Sequence, residues 1–421
     1  MRHTRKGKKN AAAYAAERLS GQDSYKEKKA VNMKILYLYS TDTSKDICHT
    51  LQKLGYVIEE YGRKLENSYL NDEEIELLSQ YVKSHGITHL MSTHLIYNAA
   101  MAAYQTGIIY ISIIWDAPYI KMYTPFGKMD NCWFSVFDRI DAERFRKAGL
   151  KHVLYQPLAV NPNEIRRWNL WPTKGGHYLN EVCFVGSLYS DNAYDRELGE
   201  MPMGLQEYFN SIFTEAAFRW DGKNRIYGKT SGEIITYLKL VVPGFEIGNV
   251  FDLKDEQVFE VLYLVRKLAN IERICVLNML AEYFDVSCYT YRDKGTDGLK
   301  GVRLFPEVPY GEPLARLFSK SKINLNISLK GIEGGTPKRV IDICGAGGFA
   351  LSSYCEETAE LLEEDKEIVM FRSPEELVEK ADFYLRNDQA REKIAVAGQK
   401  KVLQNYTYER QLKELMDWIK K

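Results

Sequence analysis

The sequence predicts an α/β chain built on two doubly wound parallel sheets, and three observations predict it. From Lys34 onward, strand-length apolar runs alternate with longer amphipathic stretches, the pattern of parallel strands joined by helices. The alternation is interrupted by a stretch carrying three prolines and a Gly pair, then resumes as a second series. At 421 residues the chain exceeds one ordinary core, and an apolar content of 45% suffices for two.

The first series reads "KILYLYS", "YVIEEY", "THLMST", "IIYISIIW", "CWFSVF" and "HVLYQPL". The second reads "EVCFVGS", "DVSCYTY", "VRLF", "KINLNI", "GFALSS" and "EIVMFRS". A long helical stretch, about 201–284, interrupts the second series between its first two strands and predicts a helical subdomain beside the sheet. The final stretch places Tyr408, Leu412, Leu415 and Ile419 on one face at helical spacing, which predicts a closing helix. The expected divisions are a basic tail over 1–32, a first domain over 33–160, a connection over 161–180, a second domain over 181–405 and the closing helix over 406–421.

Bulk properties narrow the partners. A formal net charge of +0 supplies no whole-molecule field for nucleic acid, so nucleic acid is not expected as a partner. No run approaches the roughly 18 apolar residues that span a bilayer, and no secretory segment is apparent. The tail is too basic and too poor in aliphatics to bury itself, so it reads either as a solvated extension or as a peripheral tether to an acidic surface. Seven scattered cysteines without a C-x-x-C pair fit reduced thiols, hence a cytoplasmic setting.

The densest local signal is "LKGIEGGTPKRVIDICGAGGFALS". After the strand "KINLNI", a loop with Gly331, Gly334 and Gly335 leads to Thr336 as the expected N-cap and Pro337 at the first helical position. The helix is expected to stop at Gly345. Free amides of Gly335, Thr336 and Lys338 would then face a positive dipole end, an anion site. Lys338 and Arg339 oppose that dipole at a cost of about 0.3–1 kcal/mol each. A bound diphosphate would offset the repulsion, with Arg339 gripping it bidentately. Asp342, three residues on, could accept both hydroxyls of a ribose. Against this nucleotide reading stands a surface helix with a solvated Arg339–Asp342 pair. The "GAGG" run follows the helix and precedes a strand, the reverse of a dinucleotide fingerprint, so NAD is not expected.

With these residues in view, the stretch from "INLNISLKGIEGG" to "YTYERQLKEL" resembles group-one glycosyltransferases, specifically the CgeB-like (spore maturation protein-like) branch. The likeness extends upstream through "EVCFVGSLYS", "PLAVNP" and "IIWDAPY". It implies the GT-B fold, two Rossmann-like domains facing across a cleft, the second holding a nucleoside-diphosphate sugar of UDP or GDP type and the first a glycan or protein acceptor. By position, Asp342 matches the ribose-binding acid and Arg339 the diphosphate cation. Gly186 and Ser187 match the first-loop Gly-Ser that lets backbone approach the phosphates, and Val308 to Tyr310 fall where the nucleobase is cradled. The resemblance implies retaining transfer of a hexosyl or related group. In one respect the chain departs from it: eight positions before Asp342, where relatives carry an acid, stands Gly334, with Glu333 one residue off.

In the first series, Asp116 and His94 each follow a strand, where either could orient an acceptor or take its proton, or else cap a turn or sit as a structural histidine. Asp42 and Thr43 read as caps of the next helix. No Asp-x-Asp stands at a strand end, so transfer without metal or other cofactor is expected. The alternatives are a nucleotide-sugar epimerase and a non-catalytic scaffold that binds nucleotide or glycan.

Overall fold

A computed structural model of the chain describes residues 33–38, 44–65, 69–172, 177–247, 252–291 and 295–421. The basic tail and the caps proposed at Asp42 and Thr43 lie outside the described residues. Two compact units emerge, one of residues 1–157, 248–253 and 408–421, the other of 158–247 and 254–407.

The first unit holds six parallel strands: β1 (Lys34–Leu38), β2 (Val57–Tyr61), β3 (His89–Thr93), β4 (Ile109–Ile114), β5 (Cys132–Val136) and β6 (His152–Tyr155). Their order is β2-β1-β3-β4-β5-β6. Each forms on a run read from the sequence. The inner strands are buried because helices cover both faces, which is why they are apolar throughout rather than alternating. Between them, helix Asp72–His85 starts where the Asn71 side chain accepts the amides of Glu73 and Glu74, and stops at Gly86 in the left-handed region with φ 61°. The core gathers Tyr110, Phe126, Phe134 and Phe145, all fully buried, each burial contributing roughly 1.5–3 kcal/mol. Helix Tyr408–Ile419 buries Tyr408, Leu412, Leu415 and Ile419 and packs on helix Ser44–Lys53. Gln156 and Gln411 tie its start to the segment after β6, through bonds of 3.0 Å to the carbonyls of Gln411 and Pro157.

The second unit holds β7 (Asn180–Val185), β8 (Val286–Tyr289), β9 (Arg303–Phe305), β10 (Ser321–Asn326), β11 (Ala350–Ser353) and β12 (Val369–Phe371), again all parallel. Their order is β12-β11-β10-β7-β8-β9. The first strand of the unit is thus central: the chain adds β8 and β9 on one side, then returns to add β10 to β12 on the other. Loops after β7 and β10 diverge there, at the carboxyl ends of the strands, where open α/β sheets commonly take their ligands. Helices Met203–Ala216, Gly232–Val241, Asp255–Phe259 and Val265–Ala281 fill the long insertion. A π-helical turn at Glu260–Leu264 buries Glu260, whose carboxylate accepts the amides of Gly228 at 3.0 Å and Thr230 at 2.8 Å. The stretch expected as a connection contains the short helix Pro162–Arg167, inside the second unit.

The "GAGG" run serves packing. A Cβ on Gly348 would stand 2.8 Å from the Phe318 carbonyl oxygen, and one on Gly345 3.0 Å from Val160. Gly347 adopts φ +79°, which suits glycine, and a Cβ there would stand 2.8 Å from the Pro172 nitrogen. No helix among the described residues is long and apolar enough to cross a membrane.

His89 generates a pH prediction. Burial at the start of β3 holds its imidazole down at about 4, against 6.5 in an unfolded chain, while Thr88 Oγ1 lies 2.8 Å from Nδ1. A folded pKa below the unfolded one means stability is complete above pH 6.5 and is lost as pH falls toward 4. Thermal unfolding should show a falling midpoint across that window, and His89→Gln should flatten that part of the profile.

Candidate active site

The divergence of loops after β7 and β10 is spanned by one side chain. Arg273, on helix Val265–Ala281, donates from Nη1 to the Ser187 carbonyl at 2.6 Å and from Nη2 to the Ile327 carbonyl at 2.9 Å. Ser187 follows β7 and Ile327 follows β10, so the guanidinium bridges the two strands where the sheet order reverses. Its flat face lies 4.9 Å from the Tyr189 ring and 5.5 Å from the Phe184 ring. Nε is buried without a hydrogen-bond partner. Burial pushes the arginine below its ordinary pKa, opposed by Tyr189 and the Glu272 carboxylate, and the charge of Arg339 adds a smaller downward push.

Gly186 and Ser187 form the first loop of this edge. The Gly186 amide donates to the Tyr289 carbonyl at 3.1 Å, and Ser187 Oγ accepts the Tyr189 amide at 3.0 Å, with Tyr189 at φ 52°. A Cβ on Gly186 would meet only ordinary contacts, the nearest at 3.4 Å in the Phe184 ring. The protein's own packing therefore does not demand glycine there.

The second loop ends in helix Lys338–Gly345, and here two expectations need correction. Pro337, with ψ 140°, stands at the N-cap, not at the first helical position, and no side chain caps the helix. Thr336 is buried one residue earlier, where its hydroxyl accepts from Thr358 Oγ1 at 3.3 Å; packing against the helix Glu356–Leu361 has captured the group that residue type suggested for capping. Gly345 is the last helical residue rather than the stop, which falls at Ala346.

Asp342 pairs with Lys338, one turn before it, and not with Arg339. The i to i+4 spacing brings an ammonium onto a carboxylate better than i+3 does here. Tyr310 completes a triangle: its hydroxyl donates to Asp342 Oδ1 at 3.2 Å and accepts from Lys338 Nζ at 3.0 Å. The Asp342 side chain is 10% exposed, so this pair is largely shielded from water. Arg339 lies with its guanidinium 5.4 Å from the Phe318 ring and makes no hydrogen bond among the described residues. Glu333, Gly335 and Lys330 line a pocket at the ends of β10 and β11 that also includes Trp220 and Tyr354; Arg273, Lys338 and Arg339 do not line it. Gly334 is buried in the same loop, and the Gly335 carbonyl accepts from Cys355 Sγ at 3.5 Å.

In the first unit, His94 follows β3 and Asp116 follows β4, neighbouring strands, and their side chains meet with Nε2 to Oδ2 at 3.2 Å. Asp116 caps no helix: the next element, a 3-10 turn over Ile120–Met122, begins after Tyr119. His94 adopts φ 61°, a conformation that costs about 1–3 kcal/mol unless its surroundings enforce it. They do. Its amide donates to Ile113 at 2.9 Å, and its carbonyl accepts from Ser92 Oγ at 2.8 Å and Tyr110 at 3.2 Å. The imidazole, 22% exposed, is backed by Tyr119, and the carboxylate, 70% exposed, faces water. A backbone bent out of its preferred region thus presents an imidazole–carboxylate pair at a sheet's carboxyl edge.

Sequence reasoning missed Arg273, although it left a signal. Glu272 lies on the stripe Leu268, Val276, Leu280, and Arg273 on the stripe Ala269, Leu277, positions where the helical period calls for apolar residues. Charges at such positions need buried partners. Among the described residues no cluster of three or more His, Cys, Asp or Glu is arranged to hold a metal ion.

Comparison with known proteins agrees with this architecture. Residues 264–417 match a family model described as glycosyl transferase-like. A glycosyltransferase from Rickettsia africae shares the fold at TM-score 0.50 and 10% identity, over 92% of this chain and 99% of that one. The β-glucosyltransferase of phage T4, solved with its substrate UDP-glucose, does so at TM-score 0.51 and 11% identity, over 91% and 100%. Sucrose-phosphate synthase from Thermosynechococcus elongatus matches at TM-score 0.50 and 8% identity, over 92% and 99%. No curated protein matches the sequence. The fold is that of the GT-B glycosyltransferases, with two six-stranded parallel sheets flanked by helices.

Proposed function

We propose that the protein is a glycosyltransferase that moves a hexosyl or related group from a nucleoside-diphosphate sugar to a hydroxyl of a glycan or protein acceptor, without a resident metal. The observation that carries this reading is the pair of neighbouring guanidinium groups, Arg273 and Arg339, at the strand-order reversal of the second unit. Arg339, whose guanidinium makes no hydrogen bond among the described residues, calls for an anion, and a diphosphate has the charge and oxygen count to satisfy it. UDP is the nucleotide we favour, because the phage T4 enzyme with this fold takes UDP-glucose. Within glycosyltransferases we favour the CgeB-like branch. Reduced thiols, seven of seven free, fit work in the cytoplasm.

The chemistry follows from named groups. Ribose hydroxyls take the Asp342 carboxylate from Lys338, and the released ammonium turns to the diphosphate. Tyr310 lies beside the nucleobase. Negative charge growing on the leaving diphosphate meets Arg273, Arg339 and the uncapped helix start, which are fixed before reaction. On the acceptor side, the water-facing Asp116 carboxylate takes the hydroxyl proton, and the His94 imidazole, with Nε2 3.2 Å from Oδ2, orients it.

Four outcomes test this. Arg339→Ala should weaken UDP binding by about 1.5–3 kcal/mol, the range for hydrogen bonds to a charged group, while Asp342→Asn should weaken UDP but leave a 2′,3′-dideoxy analogue nearly unaffected. Titration calorimetry reads both, and unchanged UDP affinity in Arg339→Ala sinks the diphosphate assignment. Asp116→Asn should lower turnover by roughly 10²–10⁴-fold with little change in UDP affinity. Retention is the stereochemical outcome we propose, with Glu333 and the amides of its loop supporting the sugar; proton NMR of the product's anomeric centre decides it, an inverted centre overturning that part. An epimerase would instead convert the sugar nucleotide with no acceptor present.

A further inference from the structure

The second unit buries a second pair of charges which the proposed chemistry does not use. Glu272 and Lys330 lie 3.3 Å apart with side chains only 1% and 8% exposed. Glu272 Oε1 also accepts the Phe218 amide at 3.0 Å. The ammonium donates to the carbonyls of Ala216, at 3.0 Å, and Arg219, and lies 5.2 Å from the Trp220 ring. Burial pushes the Glu272 carboxyl up and the Lys330 ammonium down, each opposed by the other's charge.

A buried ion pair is a weak source of stability, since apolar residues of similar volume usually serve as well. Its place in the chain is more telling. Glu272 immediately precedes Arg273, and Lys330 immediately precedes the loop with Gly331, Gly334 and Gly335. Arg273 holds the Ile327 carbonyl and Glu272 holds Lys330, so two consecutive residues of one helix grip that loop at two points three residues apart. Beyond the second grip the loop carries Gly331, Gly334 and Gly335, and its remaining ties, the Lys330 carbonyl to Asn224 Nδ2 at 3.2 Å and the Gly335 carbonyl to Cys355 Sγ at 3.5 Å, come from other elements. Without the grip at Lys330, nothing else in the helix Val265–Ala281 would fix where the glycine amides and Glu333 stand relative to the arginine pair.

We propose that Glu272 and Lys330 are positioning residues, which register the 331–335 loop against Arg273 and Arg339 so that the sugar end of the donor is held for reaction. The inference rests on the glycosyl-transfer reading. It differs from a structural role in what survives when both charges go. In the double variant Glu272→Leu with Lys330→Met no charge is left uncompensated, but the Phe218 amide and the carbonyls of Ala216 and Arg219 lose their partners, so the protein should fold with a melting temperature below that of the parent. UDP affinity, set by Arg273, Arg339 and Asp342, should change by less than about threefold, while release of UDP from UDP-glucose should lose about 10- to 100-fold in kcat, the penalty for a reacting group misplaced by about 1 Å. Hydrogen exchange at amides 328–336 should be faster.

A double variant with parental kcat and parental exchange in that loop overturns the proposal. If the double variant does not fold, Glu272→Gln decides the matter: it keeps the bond to Phe218 but loosens Lys330, so exchange at 328–336 should rise, and unchanged exchange overturns the tether. A parent that binds neither UDP nor UDP-glucose would instead sink the glycosyltransferase reading, and loop exchange would still judge the tether.

Discussion

The second unit depends on one guanidinium group. Parallel strands on either side of a reversal in strand order send their loops apart, and the gap between β7 and β10 would leave two backbone carbonyls facing a void. Arg273 fills it, satisfying Ser187 and Ile327 at once and lying against two aromatic rings. Arginine suits this task because its planar fork donates in two directions and stays charged when buried. The helix that delivers this side chain to both loops lies in the insertion between β7 and β8.

The same economy of contact governs the helix at this edge. Gly345 at its last position, with Gly347 and Gly348 after it, lets the chain pass within van der Waals distance of Val160, Pro172 and Phe318, so the helix Lys338–Gly345 lies close on its neighbours. The first unit uses a different device for a similar purpose. Backbone bonds to Ile113, Ser92 and Tyr110 hold His94 in the left-handed region, which turns its side chain to the edge where Asp116 stands. In one case small residues permit an approach; in the other a hydrogen-bonded frame compels a direction.

Much of the fold was legible because it rests on local patterns. All twelve strands formed on the apolar runs that suggested them, and the face of Tyr408, Leu412, Leu415 and Ile419 is buried as its spacing required. The site was legible only where one segment carries it. Lys338, Arg339 and Asp342 could be read as a group since they share a helix, yet which cation takes the carboxylate was misjudged, because the choice turns on rotamers and on Tyr310, 28 residues upstream of Lys338. Thr336 was assigned a cap by residue type, and a contact with Thr358 decided otherwise. His94 and Asp116 each looked equivocal alone, since their pairing exists only because β3 and β4 are neighbours. Arg273 left only the trace of a charge on an apolar stripe.

Cations in the first turn of a helix oppose its dipole, and the structure shows how this chain holds two of them. Lys338 is neutralised in place by Asp342, with Tyr310 closing the triangle. Among the described residues Arg339 lies against the Phe318 ring without a hydrogen bond, and the charge of Arg273 repels it. The two solutions differ in what a ligand can gain. An anion arriving at the helix start gains little from a cation already paired, but meets in Arg339 donors that nothing in the described protein satisfies. A ligand whose hydroxyls replaced Lys338 at Asp342 would free the second cation as well. On the proposed reading, the arrangement favours a molecule carrying both an anion and a diol over one carrying either alone, which is the chemical description of a nucleoside diphosphate.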